Sequence, residues 1–217
     1  SAIAIANSQR FIPGGVSSIN RLMSPSIAFS RGKGALIWDS AGKEYIDFHA
    51  GFAPFLLGHN QDEVNNAVIK VIEEAKSLFG SGPVDMEGEL AALLCNSIDA
   101  LEKVTFLNTG SEATALAIKL SRAVTGKDHI ISMQGSYNGN SDELASNVFN
   151  TLEQIGPRVS PGEYPLFPLG AGTLIQKQKV VHNVNFNDLD SIRYVVEKYP
   201  VAAVILEPVL QNVGVIC

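Results

Sequence analysis

Asn108-Thr109-Gly110-Ser111-Glu112-Ala113 follows the apolar run Val104-Thr105-Phe106-Leu107 and opens a helix-patterned run through Ala123. A strand that turns on a glycine into a helix leaves backbone N–H groups without partners at the positive end of the helix dipole. A phosphate group binds well there. Thr109 and Ser111 flank the glycine and offer two further donors. Taken alone, the stretch is also an ordinary strand-to-helix turn with Ser111 as its cap.

Outward from that turn the chain alternates. Val104–Leu107 reads as strand, Glu112–Val124 as helix, Gly126 as its stop and His129–Met133 as strand. An irregular Pro- and Gly-rich segment covers about 141–173. Val180–Phe186 then reads as strand, Asn187 as the cap of a helix carrying Leu189, Ile192, Val195 and Val196, and Val201–Leu206 as a fully apolar strand. Strands apolar on both faces, alternating with helices, predict an α/β fold with a mostly parallel sheet. Upstream, Ala35–Asp39 and Glu44–Phe48 read as a hairpin turning near Ser40-Ala41-Gly42. A helix beginning near Asn60 carries the stripe Val64, Ala67, Val68, Val71, Ile72, Ala75, with Glu63 as capping-box partner. Another helix covers about Met86–Ile98. The chain carries no internal repeat and no low-complexity linker.

The 217 residues suffice for one large domain or a domain plus an appendage. A composition 46% hydrophobic and 18% charged suits a packed core rather than disorder. The net charge of -6, with no run of Lys or Arg, argues against nucleic acid or an acidic membrane as partner. No apolar run is long enough to span a bilayer. The first residues are too short, and lack the basic flank, for a secretion signal. Cys95 and Cys217 form no metal-spaced pair. Cys95 falls in a helical apolar pattern and reads as a buried thiol, and a reducing, cytoplasmic compartment is the simplest expectation. The chain stops just past a strand with no closing helix, so further polypeptide is expected to cover the sheet.

The order of motifs resembles the class III aminotransferases, pyridoxal-phosphate enzymes of fold type I, with the nearest likeness to the subgroup around glutamate semialdehyde aminomutase. The resemblance runs from Pro13 to Gly214. It rests on Pro13-Gly14-Gly15-Val16-Ser17-Ser18, Trp38-Asp39 with Gly42 and Tyr45-Ile46-Asp47, Leu57-Gly58-His59, Asn108 to Ala113, Gly135-Ser136-Tyr137, and Glu207-Pro208-Val209. It implies a small-domain N-terminal segment and hairpin over 1–50, and the first part of the large cofactor-binding domain over 51–217. It also implies pyridoxal 5'-phosphate as cofactor, an amino acid and a keto acid or aldehyde as substrates, a homodimer, and a C-terminal segment of the same enzyme.

Residue by residue, the resemblance places Thr109, Gly110 and Ser111 at the cofactor phosphate and Tyr137 over the pyridine ring, where stacking fixes the ring plane. Tyr137 covering a sheet edge is the plainer alternative. Asn138 stands where the family commonly has His. Glu207 and Asn212 match positions at the cofactor pocket, although a Glu ending a buried strand can equally be structural, bonded to backbone. Arg21, with Ser18 close by, stands where the subgroup grips a substrate carboxylate, a task the two-pronged guanidinium suits. A surface Arg on an arm is the alternative. Phe52 lines the substrate pocket or fills core. His59 reads as a helix-start residue, and Trp38-Asp39 as packing and turn chemistry. No lysine or aspartate here matches the family's Schiff-base lysine or the aspartate that pairs with the ring nitrogen. No residue of this chain is therefore assigned as catalytic.

Three other readings stay open. One is an aminomutase that shifts the amino group within one substrate. Residues 147–173, with Ile155-Gly156-Pro157-Arg158 and Tyr164-Pro165-Leu166-Phe167-Pro168, lack the Gly/Ser-rich gating loop such enzymes carry. Another is a non-catalytic module on the same fold. The third, a dinucleotide-binding domain, lacks a Gly-x-Gly-x-x-Gly turn after a strand.

Overall fold

A helix that the sequence pattern does not announce, Ala2–Phe11 (α1), begins the chain in the computed structural model, which describes residues 2–217. Ile3 and Ile5 alternate with small residues and form no helical stripe, and none of the helix is buried. The chain divides into one unit ending at Gly88 and a second beginning at Glu89.

The first unit contains the expected hairpin. Phe29–Lys33 (β1), Leu36–Asp39 (β2) and Glu44–Ile46 (β3) form an antiparallel sheet in that order. Asp39 builds the turn, its carboxylate accepting the Ala41 and Lys43 amides at 2.8 and 3.0 Å and the Tyr45 hydroxyl at 3.1 Å. Gly42 takes φ 86°, which the turn requires and a side chain would resist. The Arg31 guanidinium lies 4.0 Å over the Trp38 ring.

The following helix starts later than read. Asp62–Glu73 (α2) is capped by Gln61, whose side chain accepts the Val64 amide at 2.8 Å. Asn60 instead takes φ 50° and donates to the Gly32 carbonyl at 2.7 Å, so the Asn60/Glu63 capping box is absent. The stripe residues Val64, Val68 and Ile72 are all exposed. Asp85–Ser97 (α3) matches the expected helix within a residue, and its Cys95 is half-buried rather than buried.

In the second unit, Gly110–Thr125 (α4) ends on Gly126 at φ 66°, as expected. His129–Met133 (β4) is the centre of a parallel sheet, with Val181–Val184 (β5) on one side and Val201–Val204 (β6) on the other. Short helices Leu152–Ile155 (α5) and Ile175–Gln178 (α6) interrupt the irregular segment, and Leu189–Lys198 (α7) joins β5 to β6. Alternation along β4 feeds two cores. Ile130 packs with Ile118 and Leu144, whereas Ile131 and Met133 pack with Val184 and Val195. Both faces of β4 and β5 are thus covered, whereas β6 stays half-buried and ends exposed.

Two expectations need correction here. Among the described residues Val104–Leu107 joins no ladder, and its residues alternate between half-buried and exposed. The sheet is therefore small, and an antiparallel sheet of equal strand number accompanies it. The cap of α7 is Asp188, not Asn187. Asp188 accepts the Ser191 amide at 3.0 Å, while Asn187 sits at φ 58° and donates to the Cys217 carbonyl.

At the amino end of β4, the rings of His129, His182 and Tyr199 stack, with His129 Nδ1 2.7 Å from His182 Nε2. His182 Nδ1 pairs with Glu163 at 2.5 Å. Burial, then the neighbouring His182, pushes the His129 pKa down and favours its neutral ring. No described helix is long and apolar enough to cross a membrane.

Candidate functional site

The start of α4 is held rigidly from two directions. Thr109 caps it, its hydroxyl accepting the Glu112 amide at 3.2 Å, and Glu112 reaches back to accept the Asn108 amide at 2.7 Å. That bond holds the one carboxylate of the first turn at the helix entrance, beside the residue that precedes the cap. The loop after β4 closes from the other side. Asn140 donates its N–H to Ser111 Oγ at 2.9 Å. The Thr114 hydroxyl has three carbonyls within reach and a single proton; the shortest contact, 2.8 Å, is to the Asn138 carbonyl. Gly139, at φ 97°, approaches so closely that a Cβ would lie 2.8 Å from Ser111 Cα.

The backbone amides of Gly110 and Ser111 take no partner among the described residues, and beyond its chain neighbours and its own helix backbone nothing lies within 4 Å of where a Gly110 Cβ would be. The Ser111 hydroxyl accepts from Asn140 and keeps its own proton free to donate. Two free amides, an oriented hydroxyl and a positive helix end make a donor set that fits a phosphate. It contains no Lys or Arg. Thr109 contributes as the cap, its oxygen accepting the Glu112 amide and its own proton free to donate.

Tyr137 and Glu207 meet across 70 residues of sequence. Glu207, just beyond β6, accepts the Tyr137 amide at 2.7 Å and the Gln211 amide at 3.4 Å. The carboxylate therefore has the structural role of a clamp between the ends of β4 and β6, and the Tyr137 ring stands 40% exposed. Asn138 turns its side-chain amide back to Ser136 Oγ at 2.8 Å, and that hydroxyl donates to the Met133 carbonyl. Asn212 lies in an exposed turn and joins none of these bonds, although its neighbour Val213 packs over Gly135. Gly139, Thr114 and Asn140 escaped the sequence reading, which took Gly135 only as part of the Gly135-Ser136-Tyr137 motif. The only signal was the pair of glycines bracketing Tyr137.

Replacing Glu207 by alanine is expected to free the Tyr137 amide and cost about 2 kcal/mol, as for a hydrogen bond to a charged acceptor. Glutamine keeps one acceptor and should recover most of that. Hydrogen exchange at Tyr137 would measure it; equal protection in wild type and Glu207→Ala would refute the clamp.

Arg21, Ser18 and Phe52 belong to the first unit. Arg21 ends the short turn Ile19–Arg21, exposed, with its amide on the Ser18 carbonyl. Its guanidinium takes no partner among the described residues. Phe52 is 56% exposed at φ 68°, so it does not fill a core. His59 is more than a helix-start residue: its Nε2 lies 2.6 Å from Asp47 Oδ2. That contact pulls the Asp47 pKa down, helped by the His49 amide. In the second unit a cleft of about 320 Å³ is lined by Phe186, Leu210 and Val213 among others, with Arg158 on its wall. Neither Ser111 nor Tyr137 lines it.

Residues 18–217 match the family described as aminotransferase class-III. The chain belongs to that family. It is 36% identical over 217 residues to a glutamate-1-semialdehyde 2,1-aminomutase of Syntrophomonas wolfei subsp. wolfei, an alignment covering 97% of this chain and 48% of that protein. Its fold matches an omega-transaminase from Sphaerobacter thermophilus with TM-score 0.89 at 29% identity, covering 99% of this chain and 48% of the other. A transaminase solved with PLP bound matches with TM-score 0.85 at 26% identity, over 99% of this chain and 48% of that one. The chain spans about half the length of the relatives it matches.

Proposed function

We propose that this chain is the N-terminal portion of a fold type I, pyridoxal-phosphate-dependent aminotransferase that moves an amino group from an amino acid to a keto acid or aldehyde. The observation that carries the reading is the pre-shaped start of α4, with free Gly110 and Ser111 amides beside a Ser111 hydroxyl oriented by Asn140. The PLP bound in one structural match, a transaminase, supports the choice of cofactor.

In this reading Gly110 and Ser111 hold the cofactor phosphate and Thr109 fixes the helix end. Tyr137, its backbone pinned by Glu207, stacks on the ring and keeps water from one face. Asn138 braces that loop, and Asn212 borders the pocket. Arg21, with Ser18, orients a substrate carboxylate, and Phe52 contacts the rest of the substrate. When bound, pyridoxal phosphate supplies an electron sink. The complete enzyme joins this chain, comprising residues 1–50 of a small domain and the first part of a large one, to a C-terminal segment carrying the lysine. It acts as a homodimer. Exposed Phe48, Leu56 and Val124, at 93, 89 and 85%, support extensive covering by further polypeptide.

An aminomutase is the second reading, favoured by the name of the Syntrophomonas wolfei relative. The test is the complete enzyme's visible absorption with pyridoxal phosphate, followed by turnover of a keto acid or aldehyde with and without an amino donor. Donor-dependent product supports the transaminase. Isomerisation of a semialdehyde without donor supports the mutase. Absence of cofactor absorption refutes both.

A further inference from the structure

Residues 50–53 adopt a conformation that side chains resist. Ala50, Phe52 and Ala53 all have positive φ, at 48, 68 and 70°, with Gly51 between them at 62°. For a bulky residue such as Phe52 this is an outlier that only surrounding structure can enforce. The enforcing groups form one continuous chain. His59 Nε2 meets Asp47 Oδ2 at 2.6 Å, and the other oxygen of Asp47 accepts the His49 amide at 2.8 Å. His49 Nδ1 then accepts the Phe52 amide at 3.1 Å, and the His49 carbonyl receives the Phe52 and Ala53 amides at 3.1 and 3.2 Å. The His49 and Phe52 rings meet edge to face with centroids 4.1 Å apart. The far end of the chain is equally fixed: the His59 backbone exchanges two hydrogen bonds with Gly34, and a Cβ on Gly32 would strike the His59 ring at 2.8 Å.

We propose that His59, Asp47 and His49 are positioning residues that hold Phe52 exposed in its left-handed turn and so set the affinity for the amino substrate. The proposal rests on the aminotransferase reading only where it names the substrate. Its chemistry is specific. A ring nitrogen accepts an amide only when it carries no proton, so His49 must be neutral with its proton on Nε2. Asp47 receives His59 on one oxygen and a backbone amide on the other, an arrangement that holds both in place while the carboxylate is ionised. Asparagine at position 49 would replace the acceptor, since its side-chain oxygen bonds the backbone two or three residues on. Leucine would not.

The test compares His49→Leu, His49→Asn and Asp47→Ala. Hydrogen exchange of the Phe52 and Ala53 amides in this chain should quicken about five- to tenfold in His49→Leu and Asp47→Ala, the effect of losing one hydrogen bond, and return near wild type in His49→Asn. In the complete enzyme His49→Leu should raise KM for the amino donor about tenfold and change kcat far less, with His49→Asn restoring KM. Unchanged exchange overturns the relay. Faster exchange with an unchanged KM, in an enzyme that does transaminate, overturns the substrate role alone. A wild-type complete enzyme without donor-dependent turnover overturns the aminotransferase reading, and with it the substrate role, whereas the exchange data still judge the relay.

Discussion

Gly139→Val is expected to unfold the start of α4 locally and to abolish retention of pyridoxal phosphate. Two costs combine. The residue sits at φ 97°, where a β-branched side chain is strained, and its Cβ would lie 2.8 Å from Ser111 Cα and 2.9 Å from Ser111 Oγ. The first clash is with backbone, so no rotamer relieves it. Overpacking of that kind costs about 1–3 kcal/mol, and the backbone strain adds to it. The Asn140–Ser111 bond must break, and with it the orientation of the hydroxyl. Gly110→Ala is the informative contrast. Beyond its chain neighbours and its own helix backbone nothing lies within 4 Å of that position, and its φ is not in the left-handed region. The unliganded chain should therefore keep its stability, and any loss should fall on cofactor affinity. Thermal unfolding of both variants, paired with a pyridoxal phosphate titration, separates the two effects. A Gly139→Val protein that retains cofactor like wild type would overturn the cradle assignment.

Local chemistry was legible where one residue acts on its immediate neighbours. Gly126 stops α4, Asp39 and Gly42 turn the hairpin, and the apolar run of β4 lies buried on both faces. Caps were legible only approximately, because Asn60-Gln61 and Asn187-Asp188 each offer two adjacent side chains able to accept an amide. The backbone geometry chose the second in both pairs. A left-handed φ at Asn60 and Asn187 removes them from the capping position.

Pattern misled at Val104–Leu107, since an apolar run marks a strand only when a partner stands beside it. It also misled for Val64, Val68 and Ile72, which form a genuine helical stripe but lie on the surface. The site was legible in outline only. Thr109, Gly110 and Ser111 could be read from their order, whereas the Tyr137–Glu207 clamp and the Gly139–Ser111 contact join residues 70 and 28 positions apart, respectively, beyond any local period.

The second large effect is expected at Asp188→Ala, which should destabilise the second unit by about 3 kcal/mol. Asp188 is buried at the start of α7 and receives the Ser191 amide and hydroxyl at 3.0 Å each, with Asn185 at 3.3 Å. Burial alone would raise its pKa. Hydrogen bonds from Ser160, from the Ser191 amide and hydroxyl, and from Asn185 outweigh that and hold the carboxyl at about 2. The folded value lies below that of an unfolded aspartate, near 3.9. Asp188 thus contributes stability that is complete above about pH 4 and is lost as the pH falls toward 2.

Urea unfolding at pH 7 and pH 3 should show wild type losing part of this contribution, and Asp188→Ala having none to lose. Asp188→Asn keeps an acceptor for the Ser191 amide, so it should fall between them and lose the pH dependence. The consequence for the site follows from connectivity. α7 packs Val195 against Ile131, Met133 and Val184 and leads directly into β6, just beyond which lies Glu207. Loosening the cap should therefore speed exchange in α7 before it reaches the Tyr137 amide, whereas Glu207→Ala should act on Tyr137 and spare α7. Equal stability of wild type and Asp188→Ala at pH 7 would show that solvent, not Asp188, satisfies the first turn of α7.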